Sequence, residues 1–172
     1  GETGFDLYRT PQSVEEQKDL FIAHIELARH LALPIVIHDR MAHEQTLAVL
    51  DDVGAWGQGG VFHCFSGDSS LAKVVVSKGF FVSIPGVVTF SNATQLKDVV
   101  RSIPLEYLLV ETDAPYLTPE PYRGKRNEPI YTAKTIEEIA RIKGVSPDEV
   151  ALRTTENFCR LFLGGRSLSV LE

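Results

Sequence analysis

Cysteine is scarce in this 172-residue chain, which carries only Cys64 and Cys159. Two thiols cannot form a disulfide framework, so the chain reads as a reduced, cytosolic protein held together by its apolar core. Long hydrophobic runs are missing as well. No stretch approaches the roughly 20 apolar residues that a membrane helix needs, and the start lacks a charged-then-apolar signal pattern, which argues against a membrane partner. Positive charge is in deficit, with 17 Lys and Arg against 23 Asp and Glu and a net charge of -6. Such a chain does not grip nucleic acid by bulk charge. Action on DNA or RNA would need a local site, with bound cations offsetting the carboxylates.

What is present is a βα rhythm. Apolar runs of about five residues alternate with helical patterns, the sign of an α/β fold with a parallel sheet. Strands are expected at 34–37, 60–64, 80–84 and 107–110, with a further strand end at residue 1. Ser13 with Glu16 forms a capping box for the first helix, which sets Val14, Phe21, Ile25, Ala28 and Ala32 near one face. Asp68 caps another helix that Gly79 closes, and Asn92 with Gln95 suggests a second capping box. Further helices are expected at 42–53, 130–143 and 147–163, the last with Ser146 as cap and Pro147 in its first turn. Residues 164–172 lose periodicity and read as a tail, natural or cloning-derived, after a single domain over 1–163. An open doubly wound sheet suits the length. Only the chemistry of the site points to a barrel instead.

Four candidate metal ligands, Glu2, His38, His63 and Asp113, fall where strands are expected to end, at separations of 36, 25 and 50 residues by difference of numbers. Repeating βα units then bring them to one rim, the C-terminal ends of the strands, where βα barrels keep their active sites. Two imidazoles and two carboxylates suit a divalent cation such as Zn²⁺, Mn²⁺ or Mg²⁺. A lone histidine at a strand end is more often a structural residue; two in equivalent places with two carboxylates favour a metal site. His24, His30 and His43 fall in helices, and Cys64 and Cys159 are expected to be core residues. Glu111 stands two residues before Asp113, so both side chains could face the same way, one binding metal and the other orienting substrate or a ligand. Arg123, Lys125 and Arg126 form a basic cluster that beside a cation could hold phosphate, and Arg40 is a further candidate for that task.

These segments resemble the TatD family of metal-dependent hydrolases. The resemblance rests on five motifs in order: GETGFD from Gly1, PIVIHDR from Pro34, VFHCFSG from Val61, LVETDAPY from Leu109 and RGKRNEP from Arg123. It implies a (β/α)8 TIM-barrel fold of the amidohydrolase superfamily, two divalent cations and phosphodiester cleavage, typically in DNA. Glu2 would bridge the cations, His38 and His63 would ligate one, and Asp113 would ligate the other and steer the attacking water. The family's opening H-x-H pair has no counterpart here, and Phe5 stands where an aliphatic residue is commoner. The resemblance thus implies the C-terminal part of the barrel, about strands 4/5 to 8. A companion carrying the missing N-terminal segment is then expected. Alternatives are an ester or amide hydrolase on the same barrel, such as a D-aminoacyl-tRNA deacylase, or a catalytically incomplete fragment.

Overall fold

The computed structural model describes residues 1–9 and 13–165. Its centre is a five-stranded, all-parallel sheet in the order β1-β2-β3-β4-β5. The strands are β1 (Thr3–Asp6), β2 (Ile35–Arg40), β3 (Gly60–Phe62), β4 (Phe81–Ile84) and β5 (Leu108–Val110). Helices α1 (Val14–His30), α2 (His43–Asp52), α3 (Ser69–Ser77) and α4 (Thr94–Ser102) connect successive strands. Two more, α5 (Thr132–Lys143) and α6 (Pro147–Phe162), follow β5. The α/β class and parallel sheet are as the sequence predicts, and β1 is a full strand rather than a strand end. Most of the expected tail, from residue 166 on, lies outside the described residues.

The helix starts show how local chemistry sets the boundaries. Ser13, Asp68 and Ser146 each accept backbone N–H groups of the first turn, from Glu16, from Ser70 and Leu71, and from Glu149. The second expected capping box is absent. Ala93 precedes α4 without a side-chain cap, and Gln95 instead donates to the Ser66 carbonyl at 3.2 Å. On α1, Phe21 and Ile25 are buried, whereas Val14 is exposed and Ala32 lies beyond the helix end.

Alternation along the strands divides the sheet into two faces. One carries Phe5, Ile35, Ile37, Phe62, Val82, Ile84 and Leu108, which pack with Phe21, Ile25, Leu50, Val75, Val99 and Ile139 of the helices into the main core. The other carries a smaller cluster of Val61, Phe81 and Leu109, against which Val36 and the end of α6 (Leu161, Phe162) pack. Higher on this second face the side chains become polar, and the functional candidates begin.

Gly4 lets β1 approach β2. It pairs with His38 at φ 142°, and a Cβ there would collide with the His38 carbonyl oxygen. Gly4→Ala therefore combines a conformation that L residues avoid with a backbone clash, and should destabilise the fold by about 3 kcal/mol. Urea unfolding measures this; a midpoint within error of the parent would show that the pairing tolerates a side chain.

Candidate metal centre

Glu2, His38 and His63 meet on the polar part of that face. Gly4 and Asp6 of β1 lie opposite His38 and Arg40 of β2, so Asp6, His38 and Arg40 share the cleft side. His63 directly follows β3, its N–H held by the Ile37 carbonyl at 2.9 Å. Glu2 Oε2 is 2.8 Å from His63 Nε2, and Glu2 Oε1 is 3.8 Å from His38 Nδ1. The two rings stand 6.3 Å apart, centroid to centroid. The strand-end expectation is corrected in detail: Glu2 precedes β1, and β2 runs on past His38 to Arg40. It does so because β1 goes on pairing with it, Phe5 with Asp39 and Asp6 with Arg40, and alternation then turns Asp39 to the buried side, where Oδ2 pairs with His43 Nδ1 at 2.7 Å.

Each imidazole also has a carboxylate on its far nitrogen. Glu111 lies 3.1 Å from His63 Nδ1 and also accepts the Cys64 N–H at 3.0 Å. Asp6 Oδ2 lies 3.4 Å from His38 Nε2. The bond to Glu111 is the main reason that His63 holds its proton to higher pH than a free imidazole; burial opposes it, and the Glu111, Glu2 and Asp113 charges assist. Burial alone would push Glu111 upward, yet the hydrogen bond and charge of His63, with Ser83 and the Cys64 N–H, bring it below the usual range. Asp113 is raised, first by burial, then by the Glu111 and Glu2 charges, with His63 and His38 pulling the other way.

The donor set fits a divalent cation. One ligand atom each of Glu2, His38 and His63 lie within 4.8 Å of one another, and so do those of His63, Glu111 and Asp113. Two donors on one cation stand at most about 4.4 Å apart, and both Glu2–His distances fall inside that. Glu111 Oε1 is buried 3.1 Å from His63 Nδ1, and Oε2 stands at the same distance, so both carboxylate oxygens face the imidazole. The cleft over these groups measures about 640 Å³ and is also lined by Arg9, Arg40, Cys64, Ser66 and Tyr116. Three non-glycine residues that line it, Cys64, Asp113 and Leu117, hold φ between 45° and 55°. Such backbone costs about 1–3 kcal/mol each and gathers where function needs it.

The sequence model of the family described as "TatD related DNase" matches residues 1–163. This chain belongs to the TatD family. It is 47% identical over 162 residues to the metal-dependent hydrolase YcfH of Escherichia coli, covering 94% of this chain and 61% of that protein. It is 44% identical to the metal-dependent hydrolase YabD of Bacillus subtilis, with 94% and 64% covered. The chain thus spans about three fifths of the length of the curated relatives it matches. The crystal structure of YjjV, a TatD homolog from Escherichia coli, superposes with a TM-score of 0.88 at 30% identity, over 95% of this chain and 62% of that one. A TatD-family hydrolase of Entamoeba histolytica shares the fold, with a TM-score of 0.82 at 22% identity.

Within this TatD chain, the expected Glu2, His38, His63 and Asp113 converge, whereas part of the expected phosphate set does not. Arg40 lines the cleft with its guanidinium 4.4 Å over the Tyr8 ring. Arg123 instead stacks 4.2 Å over Phe90, Arg126 is exposed, and neither lines the cleft. Glu111 lies behind His63 and is not among the residues lining the cleft. Cys64 also departs from expectation. The turn after β3 ends strict alternation, and the half-buried thiol lines the cleft, where burial raises its pKa to about 12. Cys159 is buried as expected.

Asp6 and Asn127 were missed as site residues. The spacing Glu2, Gly4, Asp6 could have shown Asp6, since alternate strand residues share a face. Asn127 gives no such signal among basic neighbours. It is buried, donates to the Thr112 and Tyr116 carbonyls at 2.7 and 2.6 Å, and accepts the Glu128 N–H at 2.9 Å. The RGKRNEP segment therefore staples the loop that presents Asp113. Asn127→Ala should cost about 2 kcal/mol and speed amide exchange across residues 112–118. Unchanged exchange there would show that the loop is held by other means.

Proposed function

We propose that this protein hydrolyses phosphodiester bonds, DNA being the substrate class, with a water activated at a divalent-cation site. The observation that carries the reading is the meeting of Glu2, His38 and His63 beside Asp113 in a cleft that also holds Arg9 and Arg40. Imidazoles and carboxylates suit a borderline or hard cation, and the cleft's guanidiniums suit a phosphate. Membership of the TatD family and the wording "metal-dependent hydrolase" in the names of YcfH and YabD support it. The matching overall fold reading is a (β/α)8 barrel, supported by the likeness to the YjjV structure.

Glu2, His38, His63 and Asp113 would hold the metal, two cations being the expectation. When bound, a divalent cation lowers the pKa of its water and offsets charge on the phosphoryl oxygens. The residues supply the rest. Asp113, set at the cleft edge by its left-handed backbone, takes the proton of the attacking water on its carboxylate. Arg40, braced on Tyr8, contacts the phosphate oxygens. Glu111 and Asp6 keep the imidazoles turned toward Glu2.

Three outcomes test this. With Mn²⁺, the protein should cleave a plain DNA oligonucleotide, and chelation by EDTA should abolish cleavage reversibly. Asp113→Asn should lower kcat by about 10²–10⁴-fold with the fold intact; a near-normal rate would remove it from the reaction. The proton on His63 competes with the cation, and its pKa is raised above 6.5. Mn²⁺ affinity should therefore begin to fall above pH 6.5 as the pH is lowered. Calorimetric titration between pH 8 and 6 reads this, and an affinity flat across that range would contradict it.

A further inference from the structure

Asp6 touches both His38 and the Tyr8–Arg9 turn that follows β1. Its Oδ2 faces His38 Nε2 at 3.4 Å. Its Oδ1 accepts two backbone N–H groups, from Tyr8 at 2.9 Å and Arg9 at 2.8 Å. Its own N–H donates to Gln17 Oε1 at 2.7 Å, which fixes the end of β1 to the first turns of α1. The Tyr8 ring then carries the Arg40 guanidinium at 4.4 Å, and Arg9 and Arg40 both line the cleft. Leu7 anchors the start of the turn against the core, with its N–H donating to the Arg40 carbonyl at 3.0 Å. Tyr8 beyond it is 63% accessible, and there the Asp6 carboxylate holds the main chain.

We infer that Asp6 is a positioning residue that couples His38 to the Tyr8–Arg9 turn, so that one carboxylate sets both the cation-facing imidazole and the arginines beside it. The inference rests on the metal-site reading above. The chemistry is directional. A carboxylate only accepts, so its oxygen calls for a proton on His38 Nε2 and leaves the Nδ1 lone pair toward Glu2. Glu111 does the same for His63 from the other nitrogen, with Nε2 toward Glu2. The two imidazoles thus present different nitrogens to one carboxylate, each fixed from behind. Partners of this kind orient metal-binding histidines and are worth roughly 10–100-fold in affinity.

The two functions of Asp6 separate under substitution. In Asp6→Asn the amide oxygen can still accept the Tyr8 and Arg9 N–H groups, while the NH2 facing His38 can no longer accept a proton. In Asp6→Ala both are lost. Long-range proton–nitrogen NMR of the cation-free protein should show His38 as the Nε2–H tautomer in the parent, and that preference should disappear in Asp6→Asn. Mn²⁺ titration should show roughly 10–100-fold weaker binding for Asp6→Asn, with the same thermal midpoint. With bis(p-nitrophenyl) phosphate at saturating Mn²⁺, KM should stay near the parent value in Asp6→Asn and rise several-fold in Asp6→Ala. A parent-like tautomer and Mn²⁺ affinity in Asp6→Asn would overturn the coupling. A parent protein that binds no Mn²⁺ would instead defeat the metal-site reading; the tautomer measurement then still decides whether Asp6 sets His38.

Discussion

Two imidazoles wedged between carboxylates are the interaction on which the rest of the site depends. His63 lies between Glu2 and Glu111, and His38 between Glu2 and Asp6. A buried carboxylate is costly to desolvate and persists only when its partners are well placed. Glu111 meets that condition through His63, Ser83 and the Cys64 N–H. His63 meets it by keeping a proton between two acidic groups. A cation bound there would take the place of that proton, with the same carboxylates already aimed.

The scaffold keeps these groups from relaxing apart. One face of the sheet is sealed by the main core, where Phe5, Ile37, Phe62 and Ile84 sit at or near zero exposure. Dense packing of that kind resists small shifts, so the strands hold their register and the opposite face can carry unfavourable company. The cleft is lined by the acidic residues Glu2, Asp6 and Asp113 and by the basic residues Arg9 and Arg40. Left-handed backbone at Cys64 and Asp113 adds to the cost. Stability supplied by the helical face thus sustains an arrangement that would not form in a short peptide.

Charge also explains which basic residues matter. Arg40 is brought to the cleft by strand parity and braced on Tyr8, whereas Arg123 is captured by Phe90. Stacking on an aromatic face fixes a guanidinium in either case. In one the fixed position faces the acidic cluster, and in the other it does not. The loop that carries Arg123 serves the site through Asn127 instead, by holding the main chain on either side of Asp113.

By itself the sequence determined the α/β class, the parallel strands, three helix caps and the identities of Glu2, His38, His63 and Asp113, because these follow from local periodicity and residue chemistry. The spacing of βα units was enough to bring those four to one face. The sequence did not show how far β2 runs beyond His38, since a strand's end depends on which neighbour it pairs with. Nor did it show that Cys64 leaves the strand alternation, that Asp6 and Glu111 stand behind the histidines, or that Asn127 is buried. Each of these depends on the distance between atoms far apart in the chain, as in the 48 residues between His63 and Glu111. A hydrogen bond works only within a few tenths of an ångström of its proper length, and only the packed tertiary structure sets distances to that tolerance.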